Sequence, residues 1–350
     1  MNIFTNIRIF SYILKTGAYN FMKKTMLTLI LFALTLFSLF IGDRILGTIS
    51  EEAVVADGDH IKWVEFSVPK TALDEALALD IGTHGTENHI PMAESLAYIA
   101  AKNYGELGKY KKGTLTKLGN DIPALIEKLE SKKLYNYYLE AYDAVLGGFV
   151  GSYTKSSADG ETGEEYGLRV FSPIAAGYYY RDYDDFGASR SYGYKRSHLG
   201  HDMLGSVGTP IIAIESGTVE AVGWNQYGGW RIGIRSFDGK RYYYYAHLRK
   251  GHPYNDIYEG KIVNAGEVIG YLGMTGYSAK EDTNNIDVPH LHFGIELIFS
   301  PEQKDGYNQI WIDVYSISQF LYKNRSKVVY DKEKKEYFSK YCYVNAETPD

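Results

Sequence analysis

Residues 208–248 read "GTPIIAIESGTVEAVGWNQYGGWRIGIRSFDGKRYYYYAHL". Short apolar segments alternate there with polar ones and break at glycines. Val, Ile, Trp and Tyr carry the apolar positions, and these residues suit a pleated, half-buried surface. "FDGK" at 237–240 sets Asp-Gly between two such runs, a hairpin signal. The same style continues in "GKIVNAGEVIGYLGMTG" (260–276) and "PHLHFGIELIF" (289–299), with no helical stretch between. Regular short strands of this kind predict an all-β antiparallel sandwich or barrel-like domain over 168–325.

The flanks read differently. Residues 61–150 carry Leu and Ala at helical spacing in "TALDEALALDIGTH" and "PMAESLAYIAAKNYGELGKY", which predicts a small α-helical domain. Pro91 and Pro123 sit where helices begin, and Gly147-Gly148 where one ends. No catalytic constellation is visible in this part; His89 and Glu94 stand alone. Residues 151–167 are rich in Gly, Ser and Glu and read as a linker, and 43–60 as another. The segment 326–350 reads as a charged C-terminal tail, with an edge hairpin as the other reading.

At the N-terminus, 25–42 is an uncharged apolar stretch of 18 residues. As a helix it would measure about 27 Å, the lower limit for crossing a bilayer. Residues 1–24 before it hold Arg8, Lys15, Lys23 and Lys24 and no acid. The positive-inside rule then leaves the N-terminus cytoplasmic and exports the rest as a single-pass membrane protein. A cleaved signal segment, giving a secreted protein, is the rival reading. The net charge of −6 gives no footprint for nucleic acid. Cys342 is the sole cysteine, so no intrachain disulfide forms.

Six of the nine histidines fall in the β region. In "VPHLHFGIEL" (288–297), His290 and His292 alternate, so a strand would put them on one face about 6.6 Å apart. They could be two metal ligands, a catalytic pair, one of each, or ordinary polar residues. In "SHLGHDM", His198 and Asp202 would lie about 13 Å apart on a straight strand. They can share an ion only if the chain bends between them, which Gly200 permits. Imidazole and carboxylate are the groups that zinc takes in catalytic sites.

With "YAHL" at 245–248 added, residues 193–297 are similar to the β-sheet core of the lysostaphin/LytM-type zinc metallopeptidases. That resemblance implies one Zn2+ per catalytic domain, held by His198, Asp202 and His292. It implies His247 and His290 as catalytic residues: one exchanges protons with the attacking water and the leaving amine, the other holds the oxyanion. A tyrosine before the first ligand is expected to assist, Tyr192 first and Tyr194 second. The implied function is an exported, membrane-anchored endopeptidase acting on peptidoglycan peptides. The alternative is a catalytically silent zinc-site scaffold or activator module in cell-wall assembly.

His201 and His252 have no place in that pattern and read as exposed or supporting residues. Asn225 and Tyr227 are expected to line the groove. A loop at 279–289, "AKEDTNNIDVP", departs from the family pattern beside HxH, and 168–192 forms an unfamiliar approach that is expected to cover the groove. A cupin-type reading of H-x-H-x3-E, with Glu296 as a ligand, leaves His198 and Asp202 unexplained.

Overall fold

The 208–248 run folds as the centre of an antiparallel sheet in a computed structural model of the chain. The structure describes residues 66–158, 160–190, 196–300, 303 and 308–345. Both Tyr192 and Tyr194, together with the apolar segment 25–42, lie outside the described residues. Among those described, no helix is long and apolar enough to cross a membrane.

The helices come first: α1 (Lys70–Thr83), α2 (Met92–Lys102), α3 (Thr114–Leu118), α4 (Ile122–Glu127) and α5 (Lys132–Leu146). Pro91 precedes α2, Pro123 lies in the first turn of α4, and Gly147 closes α5. Proline suits these starts because the first amides of a helix have no partner within it.

The strands follow as β1 (Val150–Ser157), β2 (Gly160–Leu168), β3 (Ser189–Arg190), β4 (Arg196–Ser197), β5 (His201–Leu204) and β6 (Pro210–Ile212). Next come β7 (Gly217–Asn225), β8 (Gly229–Ser236), β9 (Arg241–Ala246), β10 (Ile262–Val263), β11 (Val268–Tyr271) and β12 (His290–Leu297). The chain ends in β13 (Ile310–Ile312), α6 (Tyr315–Leu321), β14 (Val328–Asp331), β15 (Glu336–Ser339) and β16 (Tyr341–Val344).

The central sheet runs β10-β7-β8-β9-β12-β13, and β5 also pairs with β12. Every pairing is antiparallel. "FDGK" makes the β8–β9 turn, and Arg235 faces Tyr242 across it. The period of two sorts the sheet's faces. Ile232, Ile234, Tyr243, Tyr245, Phe293, Ile295 and Leu297 point inward and are at most 1 % exposed. Their alternates, from Arg231 to Glu296, point the other way into a groove. Each buried Ile, Leu or Phe contributes roughly 1.5–3 kcal/mol.

Two expectations change. Residues 151–167 form no linker: β1 and β2 pair with each other, and β1 with β16, as a three-stranded sheet. Its Gly and Glu content reflects the exposed positions of β2 rather than missing pairing. The terminal segment also folds, because Tyr337, Tyr341 and Tyr343 pack on the cluster of Phe171, Ala175 and Ile212.

The helical segment is stitched to the sheet by charge. The fully buried Arg241 holds Glu215 through Nε (2.9 Å) and Nη2 (3.1 Å), and its Nη1 donates to the carbonyl of Ala144 at the end of α5 (2.9 Å). Tyr243 donates its hydroxyl to the same carboxylate. Among the described residues, helices and strands belong to one compact unit.

Candidate metal centre and groove

Strand β4 ends at Ser197 and β5 begins at His201, so 198–200 turn between them. That turn brings His198 Nε2 to 3.0 Å from Asp202 Oδ1. His292 arrives from β12, directly opposite Asp202 in the register. Its Nδ1 lies 3.0 Å from Asp202 Oδ1 and 2.9 Å from His198 Nε2. Gly200 serves this arrangement by its size, since its φ is not in the left-handed region. A Cβ there would stand 2.5 Å from Cε1 and 2.6 Å from Nε2 of His292.

The surrounding bonds fix which atoms face inward. His198 Nδ1 lies 3.2 Å from the carbonyl of Asp185, and donating there it would offer Nε2 to a cation shared with Asp202 and His292. The Arg190 guanidinium joins Asp185 Oδ2 at 2.6 Å and Asp202 Oδ2 at 3.2 Å. Asp202 therefore turns one oxygen to the histidines and the other to Arg190. Burial pushes the Asp202 carboxyl up, but the His198 and His292 hydrogen bonds outweigh it and hold it far below the usual carboxylate range. Burial also lowers the His292 imidazole, so it favours the neutral, ligating form.

Among the described residues, His198, Asp202 and His292 are the group whose ligand atoms converge as a metal site would. Two imidazole nitrogens and a carboxylate oxygen packed within 3.0 Å of one another repel unless a proton or a cation lies among them. Two imidazoles and a carboxylate are a donor set that would hold a catalytic zinc. Asp185 acts through His198 as a positioning residue, since its side-chain Oδ2 also lies 3.2 Å from His198 Nδ1. Asp185→Ala should weaken metal affinity about 10- to 100-fold, measured by competition with a coloured chelator. Unchanged affinity would remove that role from Asp185.

His247 and His290 stand beside this centre, with ring centroids 4.8 Å apart. His247 Nδ1 donates to the carbonyl of Thr275 (2.8 Å), and His290 Nδ1 to that of Val288 (2.8 Å). Each ring thus keeps Nε2 for the groove. Burial, with His290 and His292 nearby, pushes the His247 imidazole well below its ordinary value. Its backbone lies in the left-handed region at φ 61°, a strain on the order of 1 kcal/mol that functional residues often carry. Gly276, at φ 124°, makes the close approach possible: a Cβ there would lie 3.0 Å from His247 Nδ1.

The groove encloses about 1060 Å³, and Tyr227 lines it. Asn225 does not; its Oδ1 accepts from the amides of Tyr227 (2.8 Å) and Gly228 (3.2 Å) and shapes their loop. Tyr277 was not anticipated. Its ring sits 5.8 Å from that of His247, and its hydroxyl accepts from Arg196 at 3.0 Å. The only sequence signal for it was a tyrosine in the glycine-led turn "TGYS".

The 279–289 insertion is tied down as a wall. Asp282 accepts from Trp230 Nε1 and from the Gly251 amide, both at 2.8 Å, and Asn285 to Asp287 line the groove. From the 168–192 approach, Asp185 and Arg190 reach the metal centre. His201 faces away from Asp202 along β5 and is buried against Asp182 (2.9 Å), and His252 pairs with Glu336. In the helical part, His89 bonds Asp80 at 2.9 Å and serves packing. Glu296 lies four residues along β12 from His292, about 13 Å, which excludes it as a ligand to the same ion.

Residues 196–306 match Peptidase family M23. The chain is 40 % identical over 126 residues to the L-Ala–D-Glu endopeptidase of Bacillus subtilis, covering 35 % of this chain and 36 % of that protein. It is 42 % identical over 97 residues to lysostaphin of Staphylococcus simulans, covering 27 % of this chain and 17 % of that one. In both cases the chain spans well under two thirds of the relative's length. A crystal structure of a candidate glycyl-glycine endopeptidase LytM from Ruminococcus gnavus superposes with a TM-score of 0.55 at 20 % identity. That match covers 81 % of this chain and 98 % of the other, and it is a likeness of fold.

Proposed function

We propose that the Peptidase family M23 domain carried by residues 196–306 is a zinc endopeptidase that cuts peptide bonds of peptidoglycan. One observation carries this reading: two imidazoles with Nε2 turned to the groove flank a His198–Asp202–His292 centre. Zinc, when bound, supplies Lewis acidity toward a peptide carbonyl and toward water. His247, kept neutral by burial, takes a proton at Nε2 from the attacking water and returns it to the leaving amine. His290, whose Nε2 lies 3.7 Å from Asp202 Oδ1, stands beside the centre where the developing oxyanion is held.

The names of the relatives support the substrate class. An L-Ala–D-Glu bond contains a D-amino acid, which belongs to bacterial wall peptides rather than to ribosomal proteins. The 25–42 segment supports export, either as an anchor or as a segment removed on secretion, because it is uncharged and follows four cations.

The test is to incubate the full chain with purified sacculi. New amino groups should appear with zinc, disappear with a chelator and return when zinc is restored. Unchanged muropeptides from the zinc-loaded protein would overturn the reading.

A further inference from the structure

The 279–289 insertion is fastened to a backbone strip, 273–278, that touches both histidines beside the metal centre. At the start of the strip, the Gly273 carbonyl accepts from the His290 amide (3.3 Å). Two residues on, the Thr275 carbonyl accepts from His247 Nδ1 at 2.8 Å, and the Thr275 hydroxyl donates to the Leu248 carbonyl (2.6 Å). Tyr277 then lays its ring 5.8 Å from that of His247. The β7–β8 turn supplies one set of bonds to the strip. Trp230 gives its amide to Thr275 Oγ1 (3.1 Å), while Tyr277 and Ser278 give theirs to the carbonyls of Tyr227 (3.3 Å) and Gln226 (2.9 Å).

The insertion supplies the second set. The Gly276 amide donates to the Thr283 carbonyl and the Ile286 amide to the Met274 carbonyl, both at 3.2 Å, and Asn284 forms an antiparallel bridge with Thr275. Asn285 Nδ2 donates to the Tyr277 carbonyl at 2.7 Å. Asp282 Oδ1 takes both the Trp230 indole and the Gly251 amide, so the insertion also grips β8 and the loop that follows His247.

The strip depends on this grip because its backbone is unfavourable. Gly276 lies at φ 124° and Tyr277 at φ 48°, and His247, packed against them, lies at φ 61°. A bulky residue at positive φ is rare and persists only where its surroundings over-determine it. Without 282–286, the Gly276 amide and the carbonyls of Met274 and Tyr277 would lose these partners. The consequence falls on His247. A neutral imidazole carries its proton on Nδ1 or on Nε2, and the hydrogen bond made by one nitrogen selects the form. The Thr275 carbonyl holds the proton on Nδ1, which leaves Nε2 able to accept one from the groove.

We propose that the 279–289 insertion is a positioning clamp for His247: by fastening the 273–278 strip, Asp282 and Asn285 keep the Thr275 carbonyl on Nδ1 and so set the tautomer that hydrolysis uses. The inference rests on the peptidase reading above, and its first readout needs no substrate.

The zinc-loaded full chain, in mild detergent and with isotope-labelled histidines, is compared with Asp282→Ala, Asn285→Ala and Asp282→Asn. Nitrogen–proton correlation spectra of the imidazoles read the tautomer, and His247→Ala identifies the His247 signal by its loss. Hydrolysis of solubilised wall peptides reads kcat and KM. In the unmodified chain His247 should carry its proton on Nδ1 alone. In each alanine variant a second His247 signal, protonated on Nε2, should appear. Their kcat should fall about 10- to 100-fold with KM within about twofold, the order of loss that a misplaced catalytic group brings. Asp282→Asn keeps an oxygen acceptor for Trp230 and Gly251 and should stay within about twofold of the unmodified chain.

Folded alanine variants that retain either the Nδ1–H form alone or the full kcat overturn the clamp, and so does an Asp282→Asn protein as impaired as Asp282→Ala. If an alanine variant does not fold, amide exchange in the unmodified chain decides. The Gly276 and Ile286 amides should exchange as slowly as the His247 amide, which donates to the Gly228 carbonyl (2.7 Å). Exchange of those two at the rate of open loops overturns the clamp. An unmodified chain that shows the Nδ1–H form but hydrolyses nothing keeps the clamp and overturns the endopeptidase reading.

Discussion

Asp202→Ala is expected to abolish zinc binding and to lower hydrolysis more than about a thousandfold, since Lewis-acid assistance contributes several kcal/mol. Asp202 is the only charged member of the three converging ligands, and its Oδ1 lies 3.0 Å from each histidine. Without it, two imidazoles face a site beside Arg190, which is no longer paired on that side. Arg190 stays bonded to Asp185, so the guanidinium remains near the centre and disfavours a second cation. Asp202→Asn separates shape from charge: it keeps the size of the side chain and should still lose most of the metal. The fold should survive both changes, because β5 is joined to β12 by backbone pairing from His201 to Leu204. Metal content by atomic emission and melting temperature decide the matter. A folded Asp202→Ala protein that retains one zinc per chain would sink the ligand assignment.

The sequence made the three converging side chains legible because each sits in a short local pattern. HxH specifies one strand face, and HxxxD demands a bend that the structure supplies at 198–200. "FDGK" specified the hairpin because Asp-Gly turns have few alternatives. The remainder was hidden for physical reasons. Asp185 and Arg190 reach the centre from a segment with little regular structure, and no periodicity marks such residues. Arg231 and Arg235 alternate in "WRIGIRS", and Glu296 alternates with apolar residues in "HFGIEL"; each alone reads as the solvent side of a strand. Only the register, which puts Tyr242 between Arg235 and Glu296, brings those two charges together. Composition misread 151–167, since a hairpin with one exposed strand needs few apolar residues. Gly200 was valued for flexibility, when its contact with the His292 ring decides the residue.

His247→Ala and His290→Ala should each lower kcat by about a hundred- to ten-thousandfold with zinc content unchanged. Neither ring belongs to the converging ligand set, yet they stand with centroids 4.8 Å apart beside it. Their effects should not multiply in the double variant, because both residues act on the same transition state. The pH profile separates their roles. A proton-accepting imidazole works in its neutral form, which predominates above its pKa. Burial, with His290 and His292 adjacent, places the His247 value well below the ordinary one, and a cation held by His198, Asp202 and His292 lowers it further. The acid limb of kcat/KM in the unmodified chain should therefore fall below about pH 6.5, the unperturbed imidazole value. In His247→Ala the residual activity should lose that limb, whereas in His290→Ala the limb should remain and only its height should drop. If the limb survives in His247→Ala and vanishes in His290→Ala, the two histidines exchange roles, and the carbonyl of Thr275 that fixes the His247 tautomer serves to position an oxyanion donor instead of a base.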